Sequence, residues 1–236
     1  MGKINILKLM RSFHRFSNSV SYPGYPFIKN SIIESINLVS PKAIIKGSEL
    51  HGNVSVSDSA KIIDARIFGN VAVGRHTTFN GPNSDIWALI NYVRIGNFCS
   101  IARNVSIQEY DHIFDRITSH FIHANVLGEK MEKDIVSKGD IIIGNDVWIG
   151  TQSVILSGSN ISDGAVIGAN SVVNSFIPPY SVAVGSPAKV IKYRFSDQII
   201  EKLLQIQWWN WDDEKIRRNR SLFESTLTDE MLRQLI

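Results

Sequence analysis

Aliphatic residues recur every six positions from Ile143: Ile143, Ile149, Ile155, Ile161, Ile167 and Val173 all fall on the step. Gly144, Gly150 and Gly168 follow three of them, and the fifth place of each hexad is mostly small: Val147, Ser153, Ser159, Ala165 and Ser171. The same step runs through Ile95, Ile101 and Ile107, with Cys99 and Val105 in the fifth place. Further back it runs through Ile44, Leu50, Val56 and Ile62, loses one residue, and resumes at Ile67, Val73 and Phe79. The register breaks over Asn80–Trp87 and again over Gln108–Ile142. A six-residue period fits neither a helix face nor the alternation of a half-buried strand. It predicts a solenoid in which each hexad is a short strand plus a turn. The aliphatic residue points inward, and the small residue sits near a tight corner. One hexad buries almost nothing by itself, so stability comes from stacking coils into a continuous core.

The ends of the chain read differently. Over Met1–Val20, Ile4, Leu7, Met10 and Phe13 lie on one helical face among Lys3, Lys8, Arg11 and Arg15. This predicts a short helix on the body or on a partner subunit, with a weak membrane-surface helix as the alternative. The interrupting charges and the lack of a small-residue cleavage site argue against a secretory leader. Ile6 stands where N-myristoylation needs Ser or Thr. Ser196-Asp197 before Ile199, Ile200, Leu203, Leu204 and Ile206 predicts an N-cap and an amphipathic helix. Trp208, Trp209 and Trp211 follow as an apolar cluster. A second helix is expected from about Asp212 to Arg220 and a third over Leu222–Ile236, together forming the terminal cap a solenoid needs. The expected layout is an N-terminal extension over 1–40, partly helical, a solenoid over 41–195 with an excursion loop over 108–142, and a helical cap over 196–236.

Composition narrows the function. The 236 residues carry 25 Lys+Arg against 22 Asp+Glu, a net charge of +3, which argues against nucleic-acid binding through bulk charge. No apolar run reaches the roughly 18 residues of a membrane helix. The single cysteine, Cys99, excludes an intrachain disulfide framework and a cysteine-based zinc cluster. A cytoplasmic location is the expectation.

The run Ile143–Phe195, which holds GNDVWIG at Gly144–Gly150 and GSPAKVIKYRF at Gly185–Phe195, and which WWNW at Trp208–Trp211 follows after the first cap helix, resembles the hexapeptide-repeat acyltransferases. Within them it is similar to the xenobiotic and polysaccharide acetyltransferases, which include the hexapeptide-type chloramphenicol and streptogramin enzymes. The resemblance spans about Ile44 to Arg217. It implies a mainly β fold, a left-handed parallel β-helix, assembled as a homotrimer with sites between subunits. It also implies acetyl-CoA as co-substrate.

The excursion loop is rich in His, Asp and aromatic residues, and loops of this length in compact repeats are usually functional. In the family signature a His precedes an Asp by three residues and is followed by a Ser-Thr-aromatic-or-His-Pro-Phe stretch. His112 and Asp115 match it, Thr118-Ser119-His120 match loosely, and Phe121-Ile122 replaces Pro-Phe. An alcohol is a poor nucleophile at neutral pH, and imidazole is suited to take its proton during attack. The resemblance makes His112 that base. Asp111, Asp115, Glu109 or a backbone carbonyl would fix its tautomer. Backbone N–H groups would hold the oxyanion. Tyr110 and His120 are candidates for acceptor contact, whereas His123 reads as structural. Trp148 is expected near the thioester.

For the coenzyme, the resemblance points to Gly150-Thr151 and Ala169. Thr151 and Ala169 are 18 residues apart, three hexads, which returns the chain to the same edge. Ser175 follows one hexad later. Lys189 and Lys192 match positions that meet the phosphates, against the competing reading of ordinary solvated lysines. Cys99 in an inward place predicts a buried, unreactive thiol rather than an acyl carrier.

The favoured function is O-acetylation of a saccharide of a bacterial surface polysaccharide or its precursor. Antibiotic O-acetylation and N-acetylation of an amino-sugar nucleotide are the alternatives. A non-catalytic scaffold and a zinc protein using His112, His120 and His123 are the readings from other classes. No metal is expected.

Overall fold

The computed structural model describes residues 27–227 and the backbone of the strand His14–Phe16. It is a left-handed parallel β-helix in which each coil lays one strand on each of three faces. The first face carries Phe27–Lys29, Ile44–Lys46, Ser100–Ile101, Trp148–Ile149 and Val166–Ile167. On the second are Ser31–Ile33, Glu49–His51, Ser106–Gln108, Val154–Leu156 and Val172–Val173, and on the third Val54–Val56, Ile141–Ile143, Asn160–Ile161 and Phe176–Ile177. The long strands Lys61–Val73 and Thr78–Ile95 turn through all three faces. Coils stack in parallel register, so Ile107 lies on Ile155, Ile143 on Ile161 and Ile149 on Ile167. These six side chains are at most 1% exposed, which makes the six-residue step a continuous aliphatic core.

The first coils keep a different beat. Their inward residues are Ile28, Ile45, Ile62 and Phe79 on the first face, Ile33, Leu50 and Ile67 on the second, and Val39, Val56 and Val73 on the third, all buried. Each set repeats at 17 residues. The sequence pattern places Ile44 inward, but Ile45 is buried and Ile44 only half-buried. The corner between the first and second faces is one residue shorter here, and one left-handed residue makes it: Asn30, Gly47 and Asp64 have φ of 48°, 59° and 49°. Glycine, asparagine and aspartate tolerate that conformation best. The break expected at Asn80–Trp87 is likewise absorbed at a corner, Gly81–Asn83, and Phe79 and Ile86 both stay inward. A larger bulge, Ala88–Tyr92, stands at the second–third corner.

The small fifth residues have a specific task. Buried Ser31, Ser48, Ser84 and Ser171 accept hydrogen bonds from the backbone N–H groups of Ser48, Ala65, Val105 and Gly185 at 3.1–3.2 Å. Each satisfies a corner amide of the next coil that would otherwise be buried without a partner.

The solenoid starts earlier than the pattern suggests, at Phe27 rather than near 41, because the 17-residue beat extends to Ile28. Of the expected N-terminal helix, His14–Phe16 is instead a strand antiparallel to Ser31–Ile33; the remainder lies outside the described residues. At the other end, helix Asp197–Ile206 starts after Ser196, whose side chain makes no capping bond. Asp212 does cap helix Asp213–Arg218, accepting from Lys215 N–H at 2.6 Å. A further turn of helix covers Ser221–Glu224, and the last part of the expected third helix lies outside the described residues. Tyr180, Ile200, Leu203 and Trp209 form the apolar seam beneath the cap. Arg75 and His76 tie it to the solenoid: Arg75 donates to the carbonyls of Trp209 and Trp211, and both side chains bond Asp213.

Candidate functional site

The excursion leaves the second face after Gln108 and rejoins the third at Ile141. It is anchored at its root by Glu109, a fully buried carboxylate. Its oxygens accept from Ile90 N–H at 2.9 Å and Asn91 Nδ2 at 3.0 Å, both in the Ala88–Tyr92 bulge. On the returning side, Asp140 accepts from Tyr92 N–H at 3.0 Å and Arg94 at 2.6 Å. The bulge is therefore the socket of the loop, and Glu109 is an anchor rather than a partner of His112. Tyr110 is half-buried beside it, and its phenol is held protonated by burial and then by the Glu109 charge.

Within the loop, Asp111–His112 pairs antiparallel with Ile135–Val136. The exposed His112 ring rests on Phe121, with ring centres 4.2 Å apart. Its Nδ1–H donates to the carbonyl of Ser119 at 2.6 Å. In the neutral ring that bond leaves the lone pair on Nε2, the tautomer a base requires. The orienting acceptor is thus a backbone carbonyl, and the exposed Asp115 is not placed on this nitrogen. His120 Nε2 lies 3.2 Å from Asn125 Nδ2. His123 is structural: its Nδ1–H donates to Asp134 at 2.7 Å, and its Nε2 is 3.8 Å from Glu129. The three loop histidines face different partners. Among the described residues no three His, Cys, Asp or Glu side chains gather as a metal ion would need.

Gly150, Thr151 and Ala169, three of the residues expected along the coenzyme, share the first–second corner. Asn170 N–H donates to Thr151 carbonyl at 2.9 Å, so the Thr151 and Ala169 corners are stacked. A Cβ on Gly150 would lie 2.5 Å from Ala169 N, so only glycine lets these coils approach. Trp148 leads into this corner on the first face and is 56% exposed. The following coil closes with Gly185–Ala188, whose backbone brackets Val172 at 2.8–2.9 Å. From there Lys189–Tyr193 runs antiparallel to Ser181–Val184. Lys189 faces Val184 and Lys192 faces Val182, with a bulge between them. In a regular strand, residues three apart point to opposite sides; the bulge places both lysines on one side. Ser175 is not on this corner. It lies at the second–third corner, where its carbonyl accepts from Asn160. One hexad is a third of a coil, so the step that carries Thr151 to Ala169 in three hexads carries Ala169 away in one.

Upstream on the first–second corner a polar cleft of about 400 Å³ is lined by Glu49, Asp64, Arg66, Asn83 and Asp85 among others. Beside it on the second face, His51, Phe68 and Trp87 stack with ring centres 4.7 and 4.2 Å apart. Cys99 is buried in the core, where its Sγ–H donates to Gly144 carbonyl at 3.0 Å and burial pushes its thiol up to about 12. It cannot act as a nucleophile near neutral pH.

The second face separates the corner of Gly150, Thr151 and Ala169 from the corner that carries the loop. Of the orienting groups the sequence left open, the structure has a backbone carbonyl, that of Ser119; the Asp134 bonds and the Ala88–Tyr92 socket were not anticipated.

A family model described as bacterial transferase hexapeptide (six repeats) matches residues 140–175. A probable macrolide acetyltransferase of Lysinibacillus sphaericus is 45% identical over 139 residues, covering 56% of this chain and 76% of that protein. A chloramphenicol acetyltransferase of Morganella morganii is 36% identical over 169 residues, covering 63% of this chain and 79% of that protein. Among solved structures, the polySia specific acetyltransferase NeuO superposes with a TM-score of 0.54 at 26% identity, covering 72% of this chain and 77% of that one.

Proposed function

The chain belongs to the hexapeptide-repeat acetyltransferases, and from that premise we propose that it moves an acetyl group from acetyl-CoA to a saccharide hydroxyl, with His112 as general base. The observation that carries the base assignment is the Nδ1–H bond to Ser119, which leaves Nε2 as the proton acceptor. The acceptor O–H gives its proton to Nε2 while its oxygen attacks the thioester carbonyl. The tetrahedral oxyanion is held by N–H donors, then collapses and expels the coenzyme A thiolate, which takes the proton back from the imidazolium. Acetyl-CoA lies along the first–second corner past Gly150, Thr151 and Ala169, with Trp148 at the thioester end and Lys189 and Lys192 toward the phosphates. Ser175, at another corner, contributes nothing to that track.

The site is completed between copies. Phe114, Ile117, Val126 and Leu127 are 58–105% exposed along the loop, an apolar surface suited to a neighbouring subunit. A homotrimer that sets each loop over the next chain's corner joins the two halves. The polar cleft on that corner offers carboxylates and amides to a polyhydroxylated acceptor, and the named acceptor of NeuO is consistent with it. A second reading, acetylation of an antibiotic hydroxyl, is favoured by the relatives from Lysinibacillus sphaericus and Morganella morganii.

Thiol release from acetyl-CoA, measured against oligosaccharides, nucleotide sugars, chloramphenicol and a macrolide, tests both readings. Turnover on a saccharide, reduced at least about hundredfold by His112→Ala, is the expected result. Turnover on a drug alone transfers the assignment to the second reading, and full activity in the variant removes His112 as the base.

A further inference from the structure

The two walls that hold His112 converge on one residue outside it. One wall is the segment Ser119–Phe121, which supplies the carbonyl on Nδ1 and the ring beneath the imidazole. This segment leads directly into the short helix Ile122–Asn125. The start of that helix is gripped by Asp134: its Oδ1 accepts from His123 N–H at 3.1 Å and from the His123 ring at 2.7 Å, and its Oδ2 accepts from Ala124 N–H at 3.0 Å. The other wall is the strand Asp111–His112. The Asp134 carbonyl accepts from Ile113 N–H at 3.2 Å, and the next residue, Ile135, is the ladder partner of His112.

We propose that Asp134 is the positioning residue of the acetyl transfer: through one buried carboxylate and its own carbonyl it fixes the distance between the Ser119 carbonyl and the His112 ring, and so sets the Nδ1–H tautomer. The inference rests on His112 being the base. Asp134 is 3% exposed, so three donors aimed at it from one helix start are a built arrangement. Burial opposes its charge, but the bonds from Ala124 N–H, the His123 ring and His123 N–H outweigh it and hold the carboxyl down to about 2. The anion therefore persists across the range in which imidazole works as a base. The other charges facing this cluster are Glu129, which also meets the His123 ring, and Lys133, which pairs with Glu129 at 2.9 Å.

An asparagine at this place keeps the shape but sets an NH2 group against backbone donors. The test compares wild type, Asp134→Asn and Asp134→Glu by nitrogen NMR of the imidazoles, with the His112 signal assigned through His112→Gln. Wild type should show a His112 ring mostly protonated on Nδ1. In Asp134→Asn that preference should collapse toward a mixture of tautomers, and Asp134→Glu should restore part of it. With the panel acceptor that turns over, kcat should fall about 10- to 100-fold in Asp134→Asn while KM for acetyl-CoA stays within about twofold. The acid limb of kcat/KM should move to lower pH, because imidazolium loses its acceptor on Nδ1. A wild-type tautomer ratio and kcat in Asp134→Asn overturn the inference. If Asp134→Asn fails to fold, His123→Gln removes one of the three donors and should give the same changes at smaller size; an unchanged tautomer there also overturns it. Full activity in His112→Ala removes the base and with it the role of Asp134 in the transfer; a shifted tautomer in Asp134→Asn would then show that the failure lies in the base assignment and not in the packing argument.

Discussion

Gly150→Ala and Gly168→Ala make a matched pair one coil apart on the same corner. A Cβ at Gly150 would lie 2.5 Å from Ala169 N and 2.9 Å from Ala169 Cα and Gly168 C, all backbone. A Cβ at Gly168 would meet Val184 Cγ1 at 2.6 Å, a side-chain tip, with backbone only at 3.7 Å. In the first case relief requires moving the next coil outward by about 1 Å against its ladder. That ladder includes Gly150 N–H to Ile167 carbonyl at 2.8 Å and Asn170 N–H to Thr151 carbonyl at 2.9 Å. Overpacking a tight site costs about 1–3 kcal/mol, and stretching two hydrogen bonds adds about 1 kcal/mol or more. Gly150→Ala should therefore destabilise by about 2–4 kcal/mol, and Gly168→Ala by less than about 1.5 kcal/mol, since a rotamer change suffices. Urea midpoints at one fixed protomer concentration measure the difference, because assembly feeds into apparent stability. Equal midpoints for the two variants would refute the claim that backbone contact across the corner sets the glycine requirement. The same variant reports on the coenzyme track, where Gly150→Ala should raise KM for acetyl-CoA more than it lowers kcat.

Three other outcomes are expected. Replacing Lys189 and Lys192 together by Gln should raise KM for acetyl-CoA and flatten its salt dependence, with no effect on an acetyl-pantetheine thioester that lacks the nucleotide phosphates. Cys99 should resist iodoacetamide at pH 8 in the folded protein and react at once in urea, and Cys99→Ala should retain activity, because the thiol lies at about 12. Asp213 is held below the usual carboxylate range by the His76 bond first and then by the charges of His76 and Arg75. The attachment of the cap is thus complete above the ordinary carboxylate value of about 4 and weakens as pH falls through the lower folded value. Tryptophan fluorescence of the cap should follow that acid transition, and Asp213→Asn should remove it, at a cost below about 1 kcal/mol at neutral pH for a half-exposed pair.

The solenoid was legible where its coils keep one beat. From Ile143 to Val173 each inward place is occupied at equal spacing, so stacking and sequence share a period. Upstream, left-handed corners at Asn30, Gly47 and Asp64 shorten each coil by one residue, so a fixed six-residue phase lands on Ile44 instead of Ile45 and overlooks Ile28. His112 was singled out because its neighbours follow a motif, but its hydrogen-bond partner is the Ser119 carbonyl, which no side-chain pattern specifies. Glu109 shows the opposite failure. A carboxylate close to a base in sequence invites an orienting role, yet its partners lie in a bulge one coil away. Lys189 and Lys192 were paired through the resemblance alone; the bulge that sets them against Val184 and Val182 leaves no mark in the residue pattern.

The excursion has a mechanical consequence. The halves of the chain on either side of it are joined by three ladders: Ser106–Gln108 on Val154–Leu156, Thr78–Ile95 on Ile141–Ile143, and Ser100–Ile101 on Trp148–Ile149. These are the contacts any two consecutive coils make. Covalent continuity through the loop raises the effective concentration of one half for the other but supplies no rung of these ladders. Between its anchors at Glu109 and Asp140, the loop can therefore change in length without breaking a rung of the body that carries it.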